Sequence, residues 1–173
     1  MRLHLFALGL ISTAMLSQGQ TTRLAASEII VGAQNLKGVK AMSVVVVVEG
    51  IRDIPESAYR SDIESKLKAA GITVLPPTVD PHTYPFLGLV VTASFIRSQN
   101  NNLLGSLVVC QLQFDQLIPA TVGSQPKYVR AITWESDSNY AFGPSIGIVS
   151  QLRELYRGMI DEFVRQYKTA NIR

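Results

Sequence analysis

The chain has 173 residues, a length that favours one domain. Hydrophobic residues make up 47% and charged residues only 17%, so there is enough apolar side chain for one core and too little charge to cover every surface. The net charge is +3, and about +2 without Arg2, which excludes a charge-based argument for nucleic acid or an anionic membrane as partner.

The N-terminus has three parts. Met1-Arg2 is a short basic region. Leu3 to Leu16 is an apolar run of about 14 residues, interrupted only by His4, Ser12 and Thr13. Ser17-Gln18-Gly19 then sets small residues on either side of Gln18, just before Gln20. This order is that of a cleavable secretory signal peptide over residues 1–19. A membrane-spanning helix needs about 20 apolar residues, and no later segment reaches that length, so no membrane span is expected after cleavage. The protein is therefore expected to be exported, to the periplasm or the extracellular space. Cys110 is the only cysteine, so there is no lipid-attachment cysteine at the cleavage site and no internal disulfide.

Residues 20–38 are weakly patterned and read as a flexible leader, with a single domain over 39–173. The run Val44-Val45-Val46-Val47-Val48 predicts a strand covered on both faces, because β-branched side chains pack well on a pleated sheet. Asp53 or Ser57 is expected to cap a helix whose apolar face is Tyr59, Ile63, Leu67 and Ala70, ended by Gly71. A short strand, Ile72 to Leu75, stops at Pro76-Pro77, and a proline-rich loop runs to Pro85. Leu87 to Phe95 and Leu104 to Phe114 alternate as two arms of a hairpin around Asn100-Asn101-Asn102. Residues 118–125 read as a loop and Val129 to Ser136 as a strand with Ile132 and Trp134 on one face. Ser138 to Ser145 reads as a linker, with Ser145 as a helix cap. Val149, Leu152, Tyr156, Met159, Ile160, Phe163 and Tyr167 then form the stripe of a long amphipathic helix.

These elements predict an α+β two-layer sandwich: one mixed, mostly antiparallel sheet with two helices on one face. The second face is then left apolar, and Val45, Val47, Val90, Leu107, Val109 and Trp134 are its expected residues. Either the leader or another chain is expected to lie there, with a protein partner or self-association favoured over the leader.

The search for chemistry returns little. Beyond the signal peptide His82 is the only histidine, set in the proline-rich loop, and Asp80-Pro81-His82 lacks a third metal ligand. There is no nucleophile elbow, and the two glycines of Phe142-Gly143-Pro144-Ser145-Ile146-Gly147 are not followed by a lysine at phosphate-loop spacing. Cys110 sits in an apolar strand without local positive charge and reads as a small hydrophobe. No catalytic residue, metal or cofactor is expected.

The signal peptide, the valine-rich strand after Gly38, the helix ending in Ala69-Ala70-Gly71-Ile72, the hairpin, the Thr133-Trp134 strand and the long terminal helix resemble small, uncharacterised exported bacterial proteins. Over about Val39 to Thr169 the element order is also similar to the N-terminal domain of TolB and to LpoB-type periplasmic assembly factors. That resemblance implies non-catalytic binding or assembly in the bacterial cell envelope. A small periplasmic hydrolase using His82 and an apolar-ligand carrier are the alternatives. N-terminal sequencing of the exported protein is expected to begin near Gln20; full-length chain retained in the inner membrane would refute the cleavage.

Overall fold

The computed structural model describes residues 31–50, 55–80, 83–122 and 125–172. Residues 1–19, expected as a signal peptide, residues 20–30 of the expected leader, Asp53 and His82 lie outside the described residues. The fold is an α+β sandwich with one mixed six-stranded sheet and two helices on one face. The strands are β1 (Ala41–Glu49), β2 (Thr73–Val74), β3 (Phe86–Arg97), β4 (Leu103–Val122), β5 (Gln125–Glu135) and β6 (Asn139–Gly143); the helices are α1 (Glu56–Ala69) and α2 (Ser145–Ala170). The spatial order is β2-β1-β3-β4-β5, with β6 pairing β4 as well. β1 runs parallel to β2 and β3, and the other pairings are antiparallel.

The valine run forms β1 as its propensity requires. Val44 and Val46 point into the helix layer and are buried, while Val45 and Val47 point to the other face. Pro55, not Asp53 or Ser57, occupies the N-cap of α1, its fixed φ of −68° leading the chain into the first turn. Tyr59, Ile63 and Leu67 are buried, as their spacing predicts, and Gly71 takes a φ of +81° where the helix stops.

Two segments expected as irregular are strands. Residues 118–122 continue β4 and pair with 125–129 of β5, although Pro119 and Pro126 both fall there. β3 begins only at Phe86, opposite Asp115, so β4 is itself an edge strand beyond that point, where a missing N–H is tolerated. Asn139–Gly143, expected within a linker, forms β6 by pairing with Ser106 to Cys110. Between β5 and β6, the Ser136 N–H donates to Leu112 O at 2.9 Å, and Ser136 Oγ accepts the Leu112 N–H at 3.1 Å. β5 and β6 therefore lie end to end along one side of β4.

The core fills the space between sheet and helices. Leu87, Leu89, Leu112, Phe114, Leu152, Ile160 and Phe163 are wholly buried there. Phe163 lies 5.7 Å from Phe114 and 5.0 Å from Trp134, ring centre to ring centre. The segment before Val39 belongs to this core as far as it is described. Ala33–Leu36 forms a 3-10 turn, Leu36 is wholly buried, and Asn171 Nδ2 donates to its carbonyl at 2.9 Å.

A polar clamp joins the helices. The Arg157 guanidinium meets both Asp62 oxygens, at 3.0 and 3.3 Å, and the Tyr156 hydroxyl donates to Asp62 Oδ2 at 2.6 Å. Lys66 Nζ meets Asp161 Oδ1 at 2.6 Å on the same seam. The Arg157 hydrogen bonds hold the Asp62 carboxyl below its ordinary 3.8, against the opposing effect of burial. The Tyr156 hydroxyl is pushed up to about 12 by burial and by the carboxylate it serves.

Because the folded pKa of Asp62 is depressed, its contribution to stability is present above the unfolded value and fades as pH falls through the folded one. Asp62→Asn is expected to melt below wild type near neutral pH, and the difference should close as the pH drops below 3.8. A pH series of thermal melts reads this, and a gap that is constant with pH would show the clamp to be uncharged in effect. Phe163→Ala is expected to cost about 3–5 kcal/mol, a large share of a domain's ~5–15 kcal/mol. A denaturant titration returning less than about 1 kcal/mol would make the aromatic contact peripheral.

Candidate functional site

Strand register decides which side chains face away from the helices. Across the sheet Val47 pairs with Val90 and Val90 with Gln111; Ser94 pairs with Leu107 and Leu107 with Phe142; Val109 pairs with Tyr140. Paired residues share a face. Val45, Val47, Val90, Leu107 and Val109 therefore stand on the outer face, as their parity predicts. Val47 and Val109 are 40% and 39% exposed.

Trp134 does not join them. It is 2% exposed, packs on Phe163, and donates its Nε1–H to Gln166 Oε1 of α2 at 2.7 Å. The cause is a bulge. Phe114 pairs with Trp134, but the next residue, Asp115, pairs with Ile132, which leaves Thr133 as the extra residue. The bulge separates Ile132 from Trp134, so the expectation that they share a face is corrected. Ile132 stays outward with Asp115, and Trp134 turns inward with Phe114.

Strand β6 adds residues that the sequence reading assigned to a linker. Tyr140 and Phe142 point outward, 74% and 58% exposed, while Ala141 between them faces the core. The Phe142 ring lies against Gly105, where an added Cβ would come within 3.2 Å of it. The alternation of aromatic, small and aromatic over Tyr140-Ala141-Phe142 was the available signal for a strand here.

The outer face has two unlike halves. Toward the start of β3 it is covered by its own side chains. The Phe86 ring lies over Gly88, and the Arg130 guanidinium sits 4.8 Å from the centre of that ring. Arg130 also donates to Tyr84 O at 3.3 Å. Asp115 lies in this half, its carboxyl raised by burial and lowered in part by Arg130. Toward the end of β3, Val47, Val109, Tyr140 and Phe142 have no such cover among the described residues. Exposed Glu49 and Glu135 stand on the two flanking strands, and Glu135 accepts from Gln111 Nε2 at 3.4 Å.

Reactive chemistry is sparse in the described residues. Cys110 is wholly buried, with its Sγ 3.7 Å from Met159 Sδ, and burial pushes its thiol up to about 12. Asp80 accepts from Thr83 Oγ1 at 3.3 Å. Among the described residues no three of His, Cys, Asp and Glu cluster as a metal site, and no helix is long and apolar enough to cross a membrane.

No family model matches the chain, and no curated protein matches it. Among solved structures, the chain is similar to the crystal structure of the rare lipoprotein B from Shewanella oneidensis, at 9% identity and a TM-score of 0.26. The match covers 74% of this chain and 92% of that one. A likeness of that size carries no argument about activity.

Proposed function

We propose that this chain is an exported, non-catalytic binding or assembly module of the bacterial cell envelope, and that it engages a protein partner through the open half of its sheet. The observation that carries this reading is the apolar outer face bearing Val47, Val109, Tyr140 and Phe142. Soluble monomers seldom leave large contiguous apolar patches in water. Exposed Tyr and Phe supply much contact area at low conformational cost, which suits a binding surface. The acidic residues at the flanks, Glu49 and Glu135, favour a partner whose own apolar patch carries basic residues at its rim. Export to the periplasm or beyond rests on the signal peptide. A hydrolytic role through His82 and a role as an apolar-ligand carrier are the competing readings. The carrier would need room between sheet and helices, where Leu89, Cys110, Leu112 and Phe163 are packed.

Photo-cross-linking in intact cells tests the proposal. A photoreactive side chain at Phe142 is expected to capture one discrete partner, and the same probe at exposed Arg153 on the helix layer is not. Val109→Lys should reduce capture at Phe142 by about tenfold or more while the circular dichroism of the purified chain stays native. Equal capture from both positions, or capture unaffected by Val109→Lys, would remove the outer face as the binding surface.

A further inference from the structure

The helix layer holds a cleft of about 390 Å³ between α1 and α2, across the sheet from the outer face. That size falls within the roughly 300–1,000 Å³ of small-molecule sites. One wall follows from sequence spacing. Ala58, Ser61, Asp62 and Ser65 recur at three and four residues along α1, so they form one stripe, and three of them are too small to fill the space before α2. The other wall is Arg153, Tyr156 and Arg157 of α2. The two arginines differ. Both Asp62 oxygens already engage Arg157, whereas Arg153 makes no ion pair among the described residues. Two guanidinium groups and one carboxylate thus line the cleft, and the surplus positive charge sits on Arg153. Tyr59 lines the cleft as well. It is 2% exposed, and its buried hydroxyl has no hydrogen-bond partner among the described residues. A buried hydroxyl without a partner is costly, and native structures keep few of them. Burial pushes this hydroxyl's pKa up, Cys110 adds to the effect, and the charge of Arg153 opposes both. The free guanidinium is therefore within electrostatic reach of the unpaired hydroxyl.

We infer that this cleft binds a small organic carboxylate, anchored by Arg153 and by the Tyr59 hydroxyl. A guanidinium presents parallel N–H donors that match the two oxygens of one carboxylate. The chain makes that match itself one helical turn along α2, where Arg157 holds Asp62. Arg153 offers a second fork of the same kind to a carboxylate from outside. Tyr59 supplies a buried O–H that gains a partner when an oxygen of the ligand reaches it. Ser61 and Ser65 add hydroxyls at the wall, and the Tyr59 and Tyr156 rings add apolar surface for the body of the ligand. Phosphate suits the cleft less well. Its dianion brings a second charge, the second guanidinium is already held by Asp62, and the Asp62 carboxylate repels that charge. The cleft lies on the far side of the sheet and takes a small molecule, so this inference does not rest on the function proposed above.

An NMR titration of the exported chain tests this, with benzoate as the carboxylate, inorganic phosphate as the competing oxyanion and chloride as the salt control. Benzoate is expected to shift the backbone amides of Ala58 to Ser65 and of Arg153 to Arg157 saturably, and phosphate to bind more weakly. Arg153→Gln should weaken benzoate by about tenfold or more, because it removes a charged hydrogen-bond donor. Arg153 is exposed and makes no ion pair among the described residues, so this variant is expected to keep its fold. Tyr59→Phe keeps the ring and removes only the hydroxyl. It should weaken benzoate by about threefold or more, and without ligand it should melt no lower than wild type, because the lost group had no partner. A purely structural hydroxyl would behave the other way, with a lower melting temperature and unchanged affinity. Shifts that grow without saturating, phosphate binding as tightly as benzoate, benzoate affinity unchanged by Arg153→Gln, or a Tyr59→Phe chain that melts below wild type would overturn the assignment.

Discussion

The contact of Trp134 with Phe163 determines how the far half of the sheet is built. For the indole to meet α2, β5 must turn Trp134 inward opposite Phe114, while Asp115 and Ile132 one step along remain outward. A strand of strict two-residue period cannot keep both Ile132 outward and Trp134 inward. The bulge at Thr133 supplies the missing residue, and its consequences spread. The Thr133 carbonyl accepts the Gly32 N–H at 2.9 Å and Asn35 Nδ2 at 2.7 Å, and its hydroxyl donates to Phe114 O at 3.3 Å. The bulge thereby draws residues 32–36 onto the sheet and helps to place Leu36 in the core.

The same geometry sets where the outer face is exposed. α1 and α2 pack on each other through Tyr59 and Tyr156, at 5.3 Å and nearly perpendicular, and both lie on one side of the sheet. Helices arranged this way leave the other side to side chains alone. Phe86 and Arg130 cover the half near the start of β3, where an aromatic ring and a guanidinium hold one another. The half near its end carries Val90, Thr92, Ser94, Leu107, Val109 and Gln111 on its central strands and aromatics on β6, so apolar side chains stay open there among a few polar ones. The face is thus built from a register, a bulge and one short added strand, not from a sequence motif.

This explains what was legible in the chain. The helix faces Tyr59-Ile63-Leu67 and Leu152-Tyr156-Met159-Phe163 were readable because burial on one side imposes a period that composition cannot mimic. The outward parity of Val45, Val47, Val90, Leu107 and Val109 was readable for the same reason, with a period of two. Trp134 was misplaced because parity was carried through a position where one residue is unpaired, and nothing local to Ile132-Thr133-Trp134 marks that residue. β6 was missed because five residues with asparagine and glycine at the ends look like a linker. The strand exists because Ser106 to Cys110 offers a free ladder, a long-range condition. Residues 118–122 fail similarly, since Pro119 argues against a central strand and only the register shows that β4 has become an edge.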